Sequence, residues 1–117
     1  MAEIDTKISY DREEDILDLS RGKSSQSSVE VGDFIIDIDN SGLISSIEIL
    51  NASENLNIKP ELLEKIRGAS MQIIYNPNYV HISIEFNLRD KDKEIVIPLT
   101  LNLGHKQSRT EKMIFVR

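Results

Sequence analysis

Hydrophobic and polar residues alternate along most of this chain, which is the pattern of β-strands that bury one face. The clearest run is YVHISIEFNL (residues 79–88), whose apolar positions are Val80, Ile82, Ile84, Phe86 and Leu88. Further strands are predicted at KISY, ILDLS, SVEV, GDFIIDID, LISSIEIL, SMQIIYN and EIVIPLTLNL. Near the C-terminal end KMIFV favours a last strand. A helix is the alternative there, because the preceding SRTE matches a capping box.

One helix interrupts the strands, and it is predicted over residues 60–67. Pro60 suits the first position of a helix, and Gly68 suits its C-terminal cap. The preceding NASENLNI adds a short helical turn from Ser53 as a further option. Pro98 cannot donate to a ladder, so its strand is predicted at a sheet edge or with a bulge. The sum is an α+β fold, a predominantly antiparallel β-sheet of about seven or eight strands with one clear helix.

The stretch DIDNSGLISSIE (residues 37–48) resembles the calcium loop of an EF-hand. Asp37, Asp39, Ser41, Gly42, Ile44, Ser45 and Glu48 fall at loop positions one, three, five, six, eight, nine and twelve. The flanks read as strands rather than helices, so a hairpin turn over residues 39–42 is the competing interpretation, and the one we favour. That hairpin is predicted to pair Ile38 with Leu43.

In this register Asp37 faces Ile44, and Glu48 lies about 13 Å along the strand from that position. Two ligands of one calcium ion lie within about 5 Å of each other, so Glu48 is excluded from the site. A weak calcium site at Asp37, Asp39 and Ser41 remains as a prediction.

Length and charge limit the other possibilities. The 117 residues suit a single domain over 1–117, with an acidic β segment at 1–55 and a helix plus second β segment at 56–117. Net charge is −6, with −9 in the first segment and +3 in the second. We therefore expect no nucleic-acid partner, because basic residues are scattered and lack interleaved aromatics. There is no cysteine and no apolar run of membrane-spanning length, so we expect a cytoplasmic protein without a membrane partner.

The densest acid cluster consists of Tyr10, Asp11 and Asp15 with Glu13 and Glu14, in and beside a predicted hairpin connection. Paired carboxylates can perform acid–base chemistry, so an enzyme centred on Tyr10, Asp11 and Asp15 is one hypothesis, and solvated loop acids are the alternative. His81 and His105 could bind a metal, but the favoured interpretation is two surface histidines. Beyond this hypothesis the sequence predicts no catalytic residue and no cofactor site. We therefore favour a protein that is not an enzyme.

YDREEDILDLS (residues 10–20) and SVEVGDFIIDIDNSGLISSIEILNASE (residues 28–54) together resemble a prokaryotic family, domain of unknown function 2283. The shared positions are Tyr10, Asp11, Asp15, Gly32, Asp37, Gly42, Ile47, Glu48, Ile49, Leu50, Ala52 and Ser53. Ser46 departs from the pattern, where the family commonly has a glycine. The resemblance implies no site residues and no established activity, but some members are encoded beside toxin-like proteins, which implies an antitoxin-like binding role. The helix and second β segment extend beyond the usual short domain.

Three hypotheses follow from the sequence. The first is a non-enzymatic interaction module that forms a homodimer or binds a partner protein through a sheet edge or an apolar face. The second is a weak calcium-binding protein through the turn at residues 37–42. The third is the enzyme at Tyr10, Asp11 and Asp15.

Overall fold

The computed structural model describes residues 6–22, 25–77, 79–88, 92–99 and 108–116, with the backbone alone for 92–99. Among these residues the chain forms two antiparallel sheets and two short helices. The predicted α+β class with mainly antiparallel strands is confirmed. The first part of the chain builds one sheet and the second part builds the other, so the two β segments form separate sheets.

The N-terminal sheet has five strands in the order β1-β2-β5-β4-β3. Their bounds are β1 Lys7–Asp11, β2 Ile16–Ser20, β3 Ser27–Val31, β4 Phe34–Ile38 and β5 Ile44–Ile49. Alternation places one set of side chains inward and the other on an outer face. That outer face carries Ser9, Asp18, Glu48, Ile35 and Glu30 along one cross-strand row.

The C-terminal sheet has four strands in the order β8-β7-β6-β9. Their bounds are β6 Gly68–Tyr75, β7 Val80–Asn87, β8 Asp92–Leu99 and β9 Arg109–Val116. Strand β9 therefore includes Arg109 to Glu111 of the capping-box motif, and the alternative of a C-terminal helix is wrong. Pro98 lies in β8, an edge strand, which confirms its predicted position.

Two helices connect the sheets, α1 Ala52–Leu56 and α2 Pro60–Glu64. Pro60 is the first residue of α2, as expected. Gly68, in contrast, does not cap the helix, and that prediction is wrong: it is the first residue of β6. A Cβ atom at Gly68 would lie 2.4 Å from the carbonyl oxygen of Phe115 on β9. Glycine is needed here for close approach of two strands, not for a helix end.

The hairpin β4–β5 forms, but its predicted register is wrong. Ile36 pairs with Ile47 and Asp37 with Ser46, and a bulge then shifts the pairing so that Ile38 meets Ile44. The predicted register differs by two residues from the observed one, because it assumed regular pairing of β4 and β5 up to the turn. A β-bulge adds an unpaired residue and changes which face a side chain takes. Glu48 therefore pairs with Ile35, only two positions from the partner of Asp37.

Both sheets and both helices bury apolar side chains in one cluster. Its fully buried members include Leu17, Leu19, Ile36, Ile47, Leu56, Leu63, Ile73, Ile82, Phe86 and Phe115. Since these residues come from both segments, the two sheets are held against each other by hydrophobic burial. No helix in the described residues is long and apolar enough to cross a membrane.

Candidate functional site

The turn that resembles a calcium loop is closed by its own hydrogen bonds. One carboxylate oxygen of Asp39 accepts the backbone N–H groups of Ser41, at 2.8 Å, and Leu43, at 3.1 Å. The carbonyl of Asp39 accepts the N–H of Gly42, at 3.0 Å. Asp39 is buried, and through these hydrogen bonds its side chain holds the backbone of the turn as in an Asx-turn. A cation at this oxygen would have to displace two N–H donors.

Asp37 lies before the bulge, on the outer face of the N-terminal sheet. Its carboxylate accepts the hydroxyls of Ser28 on β3 and Ser46 on β5, the latter at 2.6 Å. Both serines are its register partners on the neighbouring strands. The carboxylates of Asp37 and Asp39 are thus engaged by different partners, and Ser41 contributes its N–H to Asp39.

The pairing of β5 with its two neighbours brings Glu48 into a group of acids. Glu48 lies directly opposite Asp18 on β2. Burial, then the nearby charges of Glu48 and Asp37, raise the pKa of the Asp18 carboxyl, and Lys7 partly offsets them. Its Oδ1 atom is buried without a hydrogen-bond partner among the described residues. Even so, the described part of the chain holds no group of three or more acidic or histidine side chains that could hold a metal ion.

Two of the three residues of the enzyme hypothesis do converge. The phenol of Tyr10 donates to Asp15 at 2.6 Å. Ser53 donates its hydroxyl to the same carboxylate at 2.6 Å and its backbone N–H at 3.1 Å. The carbonyl of Asp15 also accepts the N–H of Ala52, at 2.9 Å. Asp15 therefore ties the β1–β2 turn to the first residues of α1, supplying partners for N–H groups that a helix end leaves unbonded.

The protonation states of Tyr10 and Asp15 are those that preserve the hydrogen bond between them. Burial raises the pKa of the Asp15 carboxyl, but the hydrogen bonds from Ser53 and Tyr10 outweigh it, and the net pKa lies below the ordinary value. Burial, and then the bond to Asp15, raise the pKa of the Tyr10 phenol. Tyr10 is therefore protonated and Asp15 ionised at neutral pH. Asp11 takes no part, because its carboxylate accepts the N–H of Glu14 within the turn.

A buried polar network joins the two sheets. Arg21, which follows β2, donates to Glu111 on β9 at 2.9 Å, and its guanidinium also contacts the sulfur of Met113. The other oxygen of Glu111 accepts the hydroxyl of Tyr75 at 2.6 Å. That hydroxyl accepts the N–H of Ile44 on β5, at 3.0 Å. Burial, and then the bond to Glu111, raise the pKa of Tyr75, so the phenol stays a donor.

The outer face of the C-terminal sheet is different, because several of its polar side chains have no hydrogen-bond or ion-pair partner among the described residues. A shallow depression of about 230 Å³ there is lined by Ser70, Gln72, Ser83, Glu85 and Lys112. None of these five side chains makes a hydrogen bond or ion pair with the described residues. Two apolar side chains of β9 lie beside the depression, Ile114 at 55% exposed and Val116 at 70% exposed. We call these seven residues the β6–β7–β9 outer face.

Of the two histidines, His81 is half-buried on β7, where it pairs with Ile74 of β6. His105 lies outside the described residues.

Sequence reasoning missed the acids at Asp18 and Glu48, because their proximity depends on the pairing of β2 with β5, which the local sequence pattern does not predict. It also missed the β6–β7–β9 outer face. The β7 part of this face could be predicted, since alternation in YVHISIEFNL puts Ser83 and Glu85 on the polar side of the strand. The other part depends on β9 pairing with β6, and no local pattern specifies that pairing.

Comparisons with known proteins agree with the resemblance in the first half. The model of a family described as "Protein of unknown function (DUF2283)" matches residues 7–53. An uncharacterized protein of Methanocaldococcus jannaschii is 33% identical over 92 residues, which cover 77% of this chain and 79% of that protein. A Methanosarcina mazei protein, provisionally named a hypoxanthine phosphoribosyltransferase, is 29% identical over 89 residues, which cover 75% of this chain and 72% of that protein. No solved structure matches.

Proposed function

Because this chain belongs to the DUF2283 family of proteins of unknown function, we propose that it is a non-enzymatic interaction module. In this proposal it binds another protein molecule through an outer face of one of its sheets. The proposal goes beyond the family assignment, since the family has no assigned activity.

The observation that carries the proposal is the contrast between two kinds of polar side chain. The residues that could perform chemistry are bonded internally: Asp15 to Tyr10 and Ser53, and Asp39 to its own turn. The polar side chains of the β6–β7–β9 outer face are unpaired among the described residues and lie beside two exposed apolar ones. Polar groups around an apolar patch are the composition of a protein–protein interface.

The activity named for the M. mazei relative gains no support from the glycine turn of this chain. Phosphate groups bind to free backbone N–H groups in glycine-rich turns and at helix N-termini. Here the N–H groups of Ser41, Gly42 and Leu43 are donated to Asp39. A phosphate would compete with a carboxylate that already occupies the turn.

An antitoxin-like role is one form of the same proposal, in which the second molecule is a different protein. The calcium and enzyme hypotheses stay predictions. In the structure one oxygen of Asp39 and the carboxylate of Asp15 already accept hydrogen bonds from the fold.

Photo-crosslinking in living cells tests the proposal. A photoreactive residue is placed at Gln72 on the outer face of the C-terminal sheet, at Glu30 on that of the N-terminal sheet, and at Glu13 in the β1–β2 turn as a matched exposed control. We expect protein adducts from at least one sheet position and none from Glu13. If neither sheet position yields an adduct at native expression levels, the chain is not an interaction module.

A further inference from the structure

We propose that the β6–β7–β9 outer face binds the same face of a second copy of this chain, in a dimer with two-fold symmetry. This rests on the proposed function and names both the surface and its partner. The closed symmetric dimer is the commonest protein assembly, and it requires a surface that complements itself.

The apolar part of the face adds hydrophobic burial to such a contact. Ile114 and Val116 point outward from neighbouring positions of β9, and Val116 pairs with Gly68, which has no side chain. The two apolar side chains therefore lie beside small residues of β6, Val116 beside Gly68 and Ile114 beside Ser70. In the dimer described below these side chains pack against β7 of the partner copy, so their burial adds to the contact on either side of β6.

The charged part of the face is arranged with opposite signs on opposite sides. Glu85 lies on β7, and Glu94 of β8 holds the register position beside it. Lys112 lies on β9, on the other side of β6. Neither Glu85 nor Lys112 makes an ion pair with the described residues. Within the described part of the chain, neither charge is neutralised by an ion pair.

A two-fold axis running roughly along β6 would satisfy both charges at once. It places β9 of one copy over β7 of the other, so Lys112 of each copy approaches Glu85 of the other. The two residues lie one row apart on the sheet, about 7 Å along the strands, which long side chains can span. Packed sheets are also rotated by about 30°, which shifts rows relative to one another. The contact then contains two equivalent ion pairs.

The outer face of the N-terminal sheet cannot pair with itself in this way. Its central positions are the acids Asp18, Glu48 and Asp37, and their mutual repulsion contributes to the raised pKa of Asp18. Laying two such faces together would bury like charges against like charges. Self-association is therefore directed to the C-terminal sheet.

The size of the face sets the expected strength. Four strands of eight residues cover about 500 Å² of plane. A standard specific interface buries about 800 Å² on each partner, so this contact is at the small end. We expect a reversible dimer with a dissociation constant in the micromolar range, weakened by salt.

Sedimentation equilibrium on the full chain, with charge exchange between copies, tests the proposal. Glu85→Lys and Lys112→Glu each turn both ion pairs into repulsive contacts, so each variant alone should dimerise at least about tenfold more weakly. An equimolar mixture of the two variants should dimerise again, because every contact then joins opposite charges. Ile114→Asp should abolish dimerisation. Glu30→Lys, exposed on the other sheet, should change nothing. Circular dichroism on each variant confirms that the fold is intact.

The outcomes separate the dimer from the proposed function. Recovery of dimers in the mixture supports the proposal. A chain that stays monomeric at millimolar concentration, or a dimer indifferent to Glu85→Lys and Ile114→Asp, overturns it. A monomer that still forms adducts in cells would retain the interaction module and eliminate the second copy as its partner. A monomer without adducts would eliminate both.

Discussion

Asp18 and Glu48 lie directly opposite each other on β2 and β5, although both carry negative charge. Like charges in directly opposed positions destabilise a sheet. The conflict is greater because the Oδ1 atom of Asp18 is buried and has no hydrogen-bond partner in the part of the chain that the structure describes. This pair therefore lowers stability in the isolated chain.

Asp18→Asn is expected to stabilise the protein at neutral pH, because it removes one of the opposed charges and adds a donor near Glu48. The raised pKa of Asp18 means that the folded state binds its proton more tightly than the unfolded state does. Wild-type stability should therefore fall as pH rises from the ordinary aspartate value through the raised one. Urea unfolding of both proteins from pH 3 to 8 measures this. An equal pH slope in the variant would contradict it.

Asp15 should behave in the opposite way. Its pKa is lowered, so its contribution is present above the ordinary aspartate value and is lost as pH falls through the folded value. Asp15→Ala removes the acceptor of Tyr10 and Ser53 and places alanine at φ 57°, at an expected cost of about 2–4 kcal/mol. Asp15→Asn is the matched control, because asparagine tolerates this backbone region, and about 1–2 kcal/mol is expected. Thermal unfolding ranks the two, and equal losses would assign the effect to charge alone.

The network of Arg21, Glu111 and Tyr75 should show strong coupling. Arg21→Met leaves the Glu111 carboxylate buried with one partner fewer, and Glu111→Gln leaves the guanidinium without its counter-charge, so each should cost about 3–5 kcal/mol. The double variant should cost clearly less than the sum, because neither charge is then left unpaired. Urea unfolding of the four proteins closes the cycle. Additive losses would show that the pair is not coupled.

Gly68→Ala should be more destabilising than Gly32→Ala. The new methyl at position 68 meets a backbone oxygen of β9, and moving a strand to relieve it costs about 1–3 kcal/mol. Gly32 has nothing within 4 Å of an added Cβ but has φ +56°, so its cost is about 1 kcal/mol of backbone strain. Denaturant midpoints of the two variants give the order. A larger loss at Gly32 would contradict the close approach of β6 and β9.

Calcium should leave the turn unchanged. Asp39 already accepts two N–H groups, and Asp37 accepts two hydroxyls. Titration to millimolar calcium is therefore expected to leave the amide NMR signals of Ser41, Gly42 and Leu43 in place. Saturable shifts of these signals that Asp39→Asn abolishes would instead establish the site predicted from the sequence.

Local patterns predicted the strands well, because alternation, β-branched residues and turn glycines act within a few positions. Alternation in residues 79–88 matches the buried residues of β7, and Pro98 lies at an edge. The failures involve distant partners. The bulge after Asp37 changes the register of β4–β5, and the need for Gly68 arises from Phe115, far along the chain. The contact of Asp15 with Ser53 spans 38 positions.

The family match ends at residue 53, just where α1 begins, and it contains the whole N-terminal sheet. A polypeptide of that length alone would leave the inner face of a five-stranded sheet open to water, including Leu17, Ile36 and Ile47. In this chain β6, β7 and β9 cover that face with buried residues of the shared core. The second half thus acts like a subunit that is covalently attached to the first. The covalent link gives it a high effective concentration at the sheet, so no encounter between separate molecules is needed.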